Sequence, residues 1–462
     1  MKKRLIAVLS AVLVCTVISA CQNNTDVNKN TEGADSALFT EGQTDLPGDP
    51  SNTELPDVSG EPTAPVYSEG LSYDIYEGNV CRVSGIGTFT GKDLVIPSTY
   101  KGNKVVGIQA GAFANCTAIE TVVVSEGIDT IDAGAFSGCS SLKSAVFPDS
   151  AVNVYNAIFK NCTSLESVVL PKTITTLPDS MFLGCTSLKS FIIPDHITVI
   201  SSHVFKDCTS LESVVIPKSV TNLPSSKVPF ENCTSLATVT LYTEAQIGSY
   251  FFGPLTSIKE FIVNEDNAVY KSVGKDLYTK DGKKLIKYAS GKEEEAFTIP
   301  EGVECIDGYA VYKAESLKNV TFASTVKEIG SYAFYGCTGL TEITIPEACS
   351  TIGEEAFGGC VSIKTAKING VITINARAFK DCIALESVDL PKKIMSIQGG
   401  GFSGCTGLKD VNYPGKISEW QSVVTRSDSS WKSGLGGQAV VIHCTNGNYT
   451  VNADGSVSSE LF

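Results

Sequence analysis

The stretch FKNCTSLESVVLPKTI, residues 159–174, recurs forty-six residues later as FKDCTSLESVVIPKSV, residues 205–220. Its centre, a phenylalanine followed three places on by a cysteine, occurs at Phe113/Cys116, Phe136/Cys139, Phe159/Cys162, Phe182/Cys185, Phe205/Cys208 and Phe230/Cys233. It returns at Phe334/Cys337, Phe357/Cys360, Phe379/Cys382 and Phe402/Cys405. The steps are 23, 23, 23, 23 and 25 residues in the first run and 23, 22 and 23 in the second. A fixed period of this size marks a stacked repeat architecture. Between the runs lie two worn copies, with Phe252 and Leu255 in the aromatic and cysteine slots of one and Val311 and Ala314 in those of the other. A slot that accepts Cys, Leu or Ala is a packing position.

One unit reads I-x-x-x-A-F-x-x-C-x-x-L-x-x-V-x-I-P. V-x-I-P alternates with period two and stops at a proline, which marks a short strand, while A-F-x-x-C-x-x-L places apolar groups every three residues, as a tight helical turn does. No coil of this length buries its inner face alone, so the coils stack and share a core. About twelve coils would make a rod of roughly 60 Å at the spacing of parallel strands.

Units such as IPSTYKGNKVVGIQAGAFANCTAIETVVV, residues 96–124, resemble the BspA-like leucine-rich repeats of bacterial surface proteins. The resemblance extends to YEGNVCRVSGIGTFTGKDLVIPSTYKGNKVVGI as an N-terminal cap, and to YPGKISEWQSVV with AVVIHCTNG as a terminal cap holding a characteristic tryptophan, Trp420. The fold expected is a β-rich solenoid: a leucine-rich-repeat-like, right-handed stack of about twelve coils of 22–25 residues with short parallel strands and tight helical turns, capped at both ends. The period is broken at residues 264–298, where Asp281-Gly282 between DLYT and KKLIKY predicts a type I′ β-hairpin. The domain order is then a cap over 71–96, a first stack over 97–263, the insertion over 264–298, a second stack over 299–412 and a cap over 413–462.

The first twenty residues have a basic start and an apolar run, a secretory signal too short to read as a membrane span. ISAC, ending at Cys21, resembles the lipobox of bacterial lipoproteins, which implies lipidation of Cys21 and display on the outer face of the cell membrane. Residues 21–70 are polar and acidic and predict a disordered stalk. The net charge of −14, or −17 without Lys2, Lys3 and Arg4, argues against nucleic acid and leaves the lipid as the membrane contact.

Sixteen cysteines are present. Equivalent slots in successive coils point their Cβ atoms the same way, which disfavours disulfides between them and predicts a reduced, buried ladder of Cys116, Cys139, Cys162, Cys185, Cys208, Cys233, Cys337, Cys360, Cys382 and Cys405. Ligands laid out in a line do not converge on a metal, and no cofactor motif is present. Cys349 stands in a core slot. His196, His203 and His443 have no nucleophile beside them in any motif, and the first two read as surface polar groups, so no catalytic residue is assigned. NCT at Asn115, Asn161 and Asn232 follows from the repeat and does not predict a glycan.

Within each strand the residue between the two buried positions faces outward. That column reads Val123, Val146, Val169, Ile192 and Val215, then Thr240, Ile262, Thr321, Thr344, Lys367, Asp389 and Asn412; Ser144, Ser167, Ser190 and Ser213 run beside its first half. The apolar half is the candidate binding stripe, about 20 Å long at strand spacing. A third column, Glu120, Lys143, Glu166, Lys189 and Glu212, alternates in sign and fixes register. The resemblance implies an adhesion module for host matrix proteins, cells or surface polymers; with no catalytic constellation in the chain it is expected to be non-catalytic, and a monomer is expected. A structural component of the bacterial envelope is the alternative, and a surface-polymer hydrolase a remote one.

Overall fold

The computed structural model describes residues 67–224, 228–253, 255–432 and 438–462. The signal segment, Cys21 and the stalk as far as residue 66 lie outside the described residues. The described chain begins slightly before the expected cap, because Ser68 is already tied to it: its Oγ accepts the Val95 N–H at 2.9 Å.

Most coils have two strands and one run of tight turns. V-x-I-P forms the longer strand, and consecutive copies pair in parallel without slippage: Asp93–Ile96 with Thr121–Val124, then Ser144–Val146, then Ser167–Val169. Val122, Val124 and Ala145 point inward and are buried. After the proline and its turn comes a two-residue strand, such as Thr130–Ile131 paired with Asn153–Val154. The longer strands number fourteen from Asp93–Ile96 to Asp410–Asn412, two more than expected. The additions are Asp93–Ile96 and Ala296–Thr298. Both are followed by proline, but neither has Phe-x-x-Cys before it, so a count keyed to that signature passes over them. Ala296–Thr298 pairs with Asn319–Thr321, so the insertion gives way to a coil at that strand, before residue 298.

The turns carry the i→i−3 bonds of a tight helix but do not form one. Ala114 and Cys116 donate to Gly111 and Phe113 within their coil, whereas Gly111, Phe113 and Asn115 donate to Ala133, Ala135 and Ser137 of the next. Alternation of this kind requires left-handed residues. The position before the cysteine has φ of 60° at Asn115, 77° at Gly138, 60° at Asn161, 75° at Gly184 and 60° at Asp207. Asn, Asp and Gly are the residues that enter this region at least cost. NCT is thus turn chemistry followed by the core cysteine.

Inside, the phenylalanines stack ring on ring, Phe113, Phe136, Phe159, Phe182, Phe205 and Phe230 with centroids 5.2 to 6.0 Å apart. Phe334, Phe357, Phe379 and Phe402 repeat this at 5.2 to 5.4 Å. The worn copies keep the rule, since Phe252, Leu255, Val311 and Ala314 are all buried.

The first stack has faults. Asn153–Val154 does not pair with Thr176–Leu177, and among the described residues only one isolated bridge, to Asn222, remains beyond Val199–Ile200. Pro178 and Pro224 occupy the position whose N–H would reach back to the previous coil, as Asp132 does to Ile108, and proline has none. On the other side the longer ladder is interrupted between Ser167–Val169 and Ser190–Ile192.

The insertion is a three-stranded antiparallel meander, Tyr270–Val273, Asp276–Thr279 and Lys284–Lys287. The left-handed pair expected at Asp281-Gly282 sits instead at Gly274 and Lys275, with φ of 57° and 72°; at the second turn only Gly282 has positive φ. Asp281 there accepts the Lys283 N–H and the Thr279 hydroxyl, which holds a wider loop. The last strand pairs in parallel with Cys305–Ile306, and the short-strand ladder then continues unbroken to Ser396–Ile397. The meander contributes to both hydrophobic clusters, Tyr270, Leu277 and Ile286 to one and Tyr278, Leu285 and Tyr288 to the other. At this junction Lys287 is buried, its Nζ donating to the carbonyls of Gly253 and Tyr309 at 3.1 and 2.9 Å.

At the C-terminal end the helix Ile417–Arg426 covers the core with Ile417, Trp420 and Val423. Val440–Cys444 adds in parallel to Asp410–Asn412, and Gly447–Val451 and Val457–Leu461 complete the sheet as an antiparallel meander.

Candidate binding surface

The cysteine column is spent on the fold. Each Sγ from Cys139 onward donates to the carbonyl of the slot residue one coil back: Cys139 to Phe113 at 3.0 Å, Cys162 to Phe136 at 3.1 Å, Cys337 to Val311 at 3.1 Å, Cys405 to Phe379 at 3.0 Å. The same carbonyls also accept the N–H of the cysteine-slot residue of their own coil, Ala314 in the case of Val311. Burial pushes the Cys139 and Cys337 thiols up to about 12, and those of Cys185, Cys208 and Cys360 well above the ordinary value. These are poor nucleophiles. Cys116, first of the column, departs from it in being only half-buried. Cys349 is fully buried in its core slot.

The histidines differ from one another. His203 owes its place to the second left-handed position of the turn run, with φ of 54°, and faces Asp179 at 3.9 Å. His196 is not a simple surface group: it is half-buried, its Nε2 lacks a partner among the described residues, and burial lowers its proton affinity. His443 is held at both nitrogens, by Asp410 Oδ1 at 2.8 Å and Asn448 Oδ1 at 3.1 Å.

The outward column follows the strands as expected, but its two halves differ in continuity. Val123, Val146 and Val169 form one in-register run. Ile192, Val215, Thr240 and Ile262 form another beyond the break. The valines are half-buried by their neighbours, while Ile192 and Ile262 stand 59% and 46% exposed. Ser144, Ser167 and Ser213 lie half-buried beside them, and Ser190 is exposed. No strand or helix among the described residues packs over this face by any substantial contact. Of the alternating charges, Lys92, Glu120 and Lys143 close a triad; Glu166, Lys189 and Glu212 form no ion pair among the described residues.

The polar half of the same column leads to a feature that repeat counting does not reveal. An open groove of about 780 Å³ is lined by Lys367, Asp389, Asn412 and His443, one residue from each of four adjacent strands. Its wall is made by the segments that follow those strands, including Lys392, Lys393 and Tyr413. Asn412 Nδ2 donates to Asp389 Oδ1 at 2.6 Å, which fixes the floor, while Lys367 makes no ion pair among the described residues. The groove therefore offers a free cation, paired hydrogen-bonding groups and a tyrosine edge. The signal was the polar run from Thr321 to Asn412; what it lacked was His443, which comes from the cap and falls outside the repeat frame.

The family described as BspA type leucine-rich repeat region matches residues 106–237, 226–277 and 288–409, with six copies. Among solved structures, the chain is similar to a leucine-rich cell surface protein of Faecalibacterium prausnitzii at 24% identity, covering 79% of this chain and 98% of that one with a TM-score of 0.53. It is similar to a leucine-rich repeat protein of Bacteroides ovatus at 23% identity, covering 81% and 98%, with a TM-score of 0.54. No curated protein matches the sequence.

Proposed function

The chain belongs to the BspA-type leucine-rich repeat family, and from that premise we propose that it is a lipid-anchored, non-catalytic binding module displayed at the cell surface. The observation that carries the proposal is the outward strand face over which no strand or helix of the described residues packs, apolar from Val123 to Val215 and ending in the groove of Lys367, Asp389, Asn412 and His443. Concave polar surface beside apolar surface is what recognition of a protein or polymer requires. Cys21 is the proposed anchor, with the following polar segment as spacer. Host matrix proteins, cells or surface polymers are the proposed ligands, met by a monomer.

The test uses residues 67–462 as a soluble protein against immobilised host matrix proteins and against solubilised envelope of the producing cell. Saturable binding to a matrix protein that weakens at least tenfold in Val169→Glu/Ile192→Glu or in Lys367→Glu supports the reading and says which half of the face is used. Retention of an envelope component alone moves the assignment to a structural role. Binding unchanged in both variants removes this face as the site.

A further inference from the structure

Inside the insertion, three side chains meet that neither the repeat nor the binding face employs. Asp276 opens the second strand of the meander, and Lys292 closes the short 3-10 turn Ser290–Lys292. Lys292 Nζ lies 3.0 Å from Asp276 Oδ2, with side-chain exposures of only 7% and 3%. Glu294 Oε2 is 3.1 Å from the same nitrogen. The rings of Tyr288 and Phe297 pack against the ammonium, at 4.4 and 5.6 Å from their centroids. The other Asp276 oxygen, Oδ1, accepts the backbone N–H of Ala289 at 2.8 Å. Lys292 also donates to the Gly274 carbonyl at 3.2 Å.

We propose that Lys292 and Asp276 close an intramolecular amide, an isopeptide bond between Nζ and Cγ, with Glu294 as the proton carrier. The first step passes one proton from Nζ to Asp276 Oδ2 across their 3.0 Å hydrogen bond, which sets an amine beside a carboxylic acid. Burial already pushes the Asp276 carboxyl up to about 6. The Nζ lone pair attacks Cγ, and the charge that develops on Oδ1 is met by the Ala289 N–H, aimed there before reaction. Glu294 accepts a proton from the nitrogen and returns it to the departing Oδ2. One C–N bond forms, one C–O bond breaks and one water leaves. No oxidant, reductant or cofactor is required.

A tryptic digest of the purified, folded protein decides the matter by mass. Trypsin should release residues 276–280 joined to residues 288–313, because acylated Lys292 is not cleaved; the joined species should be lighter than its two parts by one water. Asp276→Ala should restore cleavage at Lys292 and release 276–280, 288–292 and 293–313 as three separate peptides, and Glu294→Gln, which keeps both partners, should lower the joined fraction. Free peptides 276–280 and 288–292 from the unaltered protein, with no joined species, would overturn the proposal, and that result needs no variant to fold. A joined fraction unchanged in Glu294→Gln would overturn the role given to Glu294.

Discussion

The two stacks share their interior and differ in nearly everything else. Both pile phenylalanine rings about 5 to 6 Å apart and both tie coil to coil through a thiol on a carbonyl. The first interrupts its short-strand ladder at Pro178 and Pro224 and turns β-branched residues outward; the second keeps that ladder whole and turns Lys367, Asp389 and Asn412 outward. A coil thus constrains only the positions that face its neighbours' cores. The outward column is free to vary, and that is where recognition can be written without cost to the stack.

Alkali should erase the difference. A thiol raised by burial contributes stability that is complete below its unfolded value, about 8.5, and is lost as pH rises toward the folded values of about 12 at Cys139 and Cys337. Both stacks carry such ladders, so circular dichroism should show them unfolding together above about pH 9; survival of either one would separate them. Below that pH, single cavities should pull them apart. Phe159→Ala and Phe357→Ala should each cost about 3–5 kcal/mol in urea unfolding, each moving a transition belonging to its own stack. If both shift one shared transition equally, the meander couples the stacks into a single unit.

Lys287 probes that coupling more gently. Burial lowers its ammonium to about 7, so the folded state favours the neutral amine. Its contribution to stability is then complete above the unfolded value and falls away as pH drops toward 7, at up to about 1.4 kcal/mol per pH unit. Between pH 7 and 8, beneath the thiol range, the wild type should gain stability relative to Lys287→Met; parallel curves would place the lysine outside the balance. The smallest effect is expected at the turns. Asn161→Ala should cost roughly 1–2 kcal/mol for its positive φ, while Asn161→Gly should be close to neutral in the same unfolding measurement.

The interior was legible because the period repeats it. Phe159, Cys162 and Leu165 announce their burial by recurring, and Leu255 and Ala314 strengthen the reading by what they replace. The turn conformation was less legible, since apolar residues every three places suit a helix and a run of turns equally. The alternation of Asn, Gly and Asp before each cysteine was the deciding signal. The ladder faults at Pro178 and Pro224 needed the second strand of the coil to be located first. The groove was legible only in part, because Lys367, Asp389 and Asn412 share a column whereas His443 enters from the cap.

The thiol-to-carbonyl rung has a consequence for length. Its acceptor is backbone, so it closes over Val311 as readily as over a phenylalanine, and each rung spans only two coils. The near-identical segments at residues 159–174 and 205–220 lie two coils apart, and Pro178 and Pro224 repeat at the same interval. A two-coil cassette could be added or deleted at that joint with every remaining rung finding its carbonyl. Extension by copying would lengthen the outward face in steps of two strands while leaving both caps untouched.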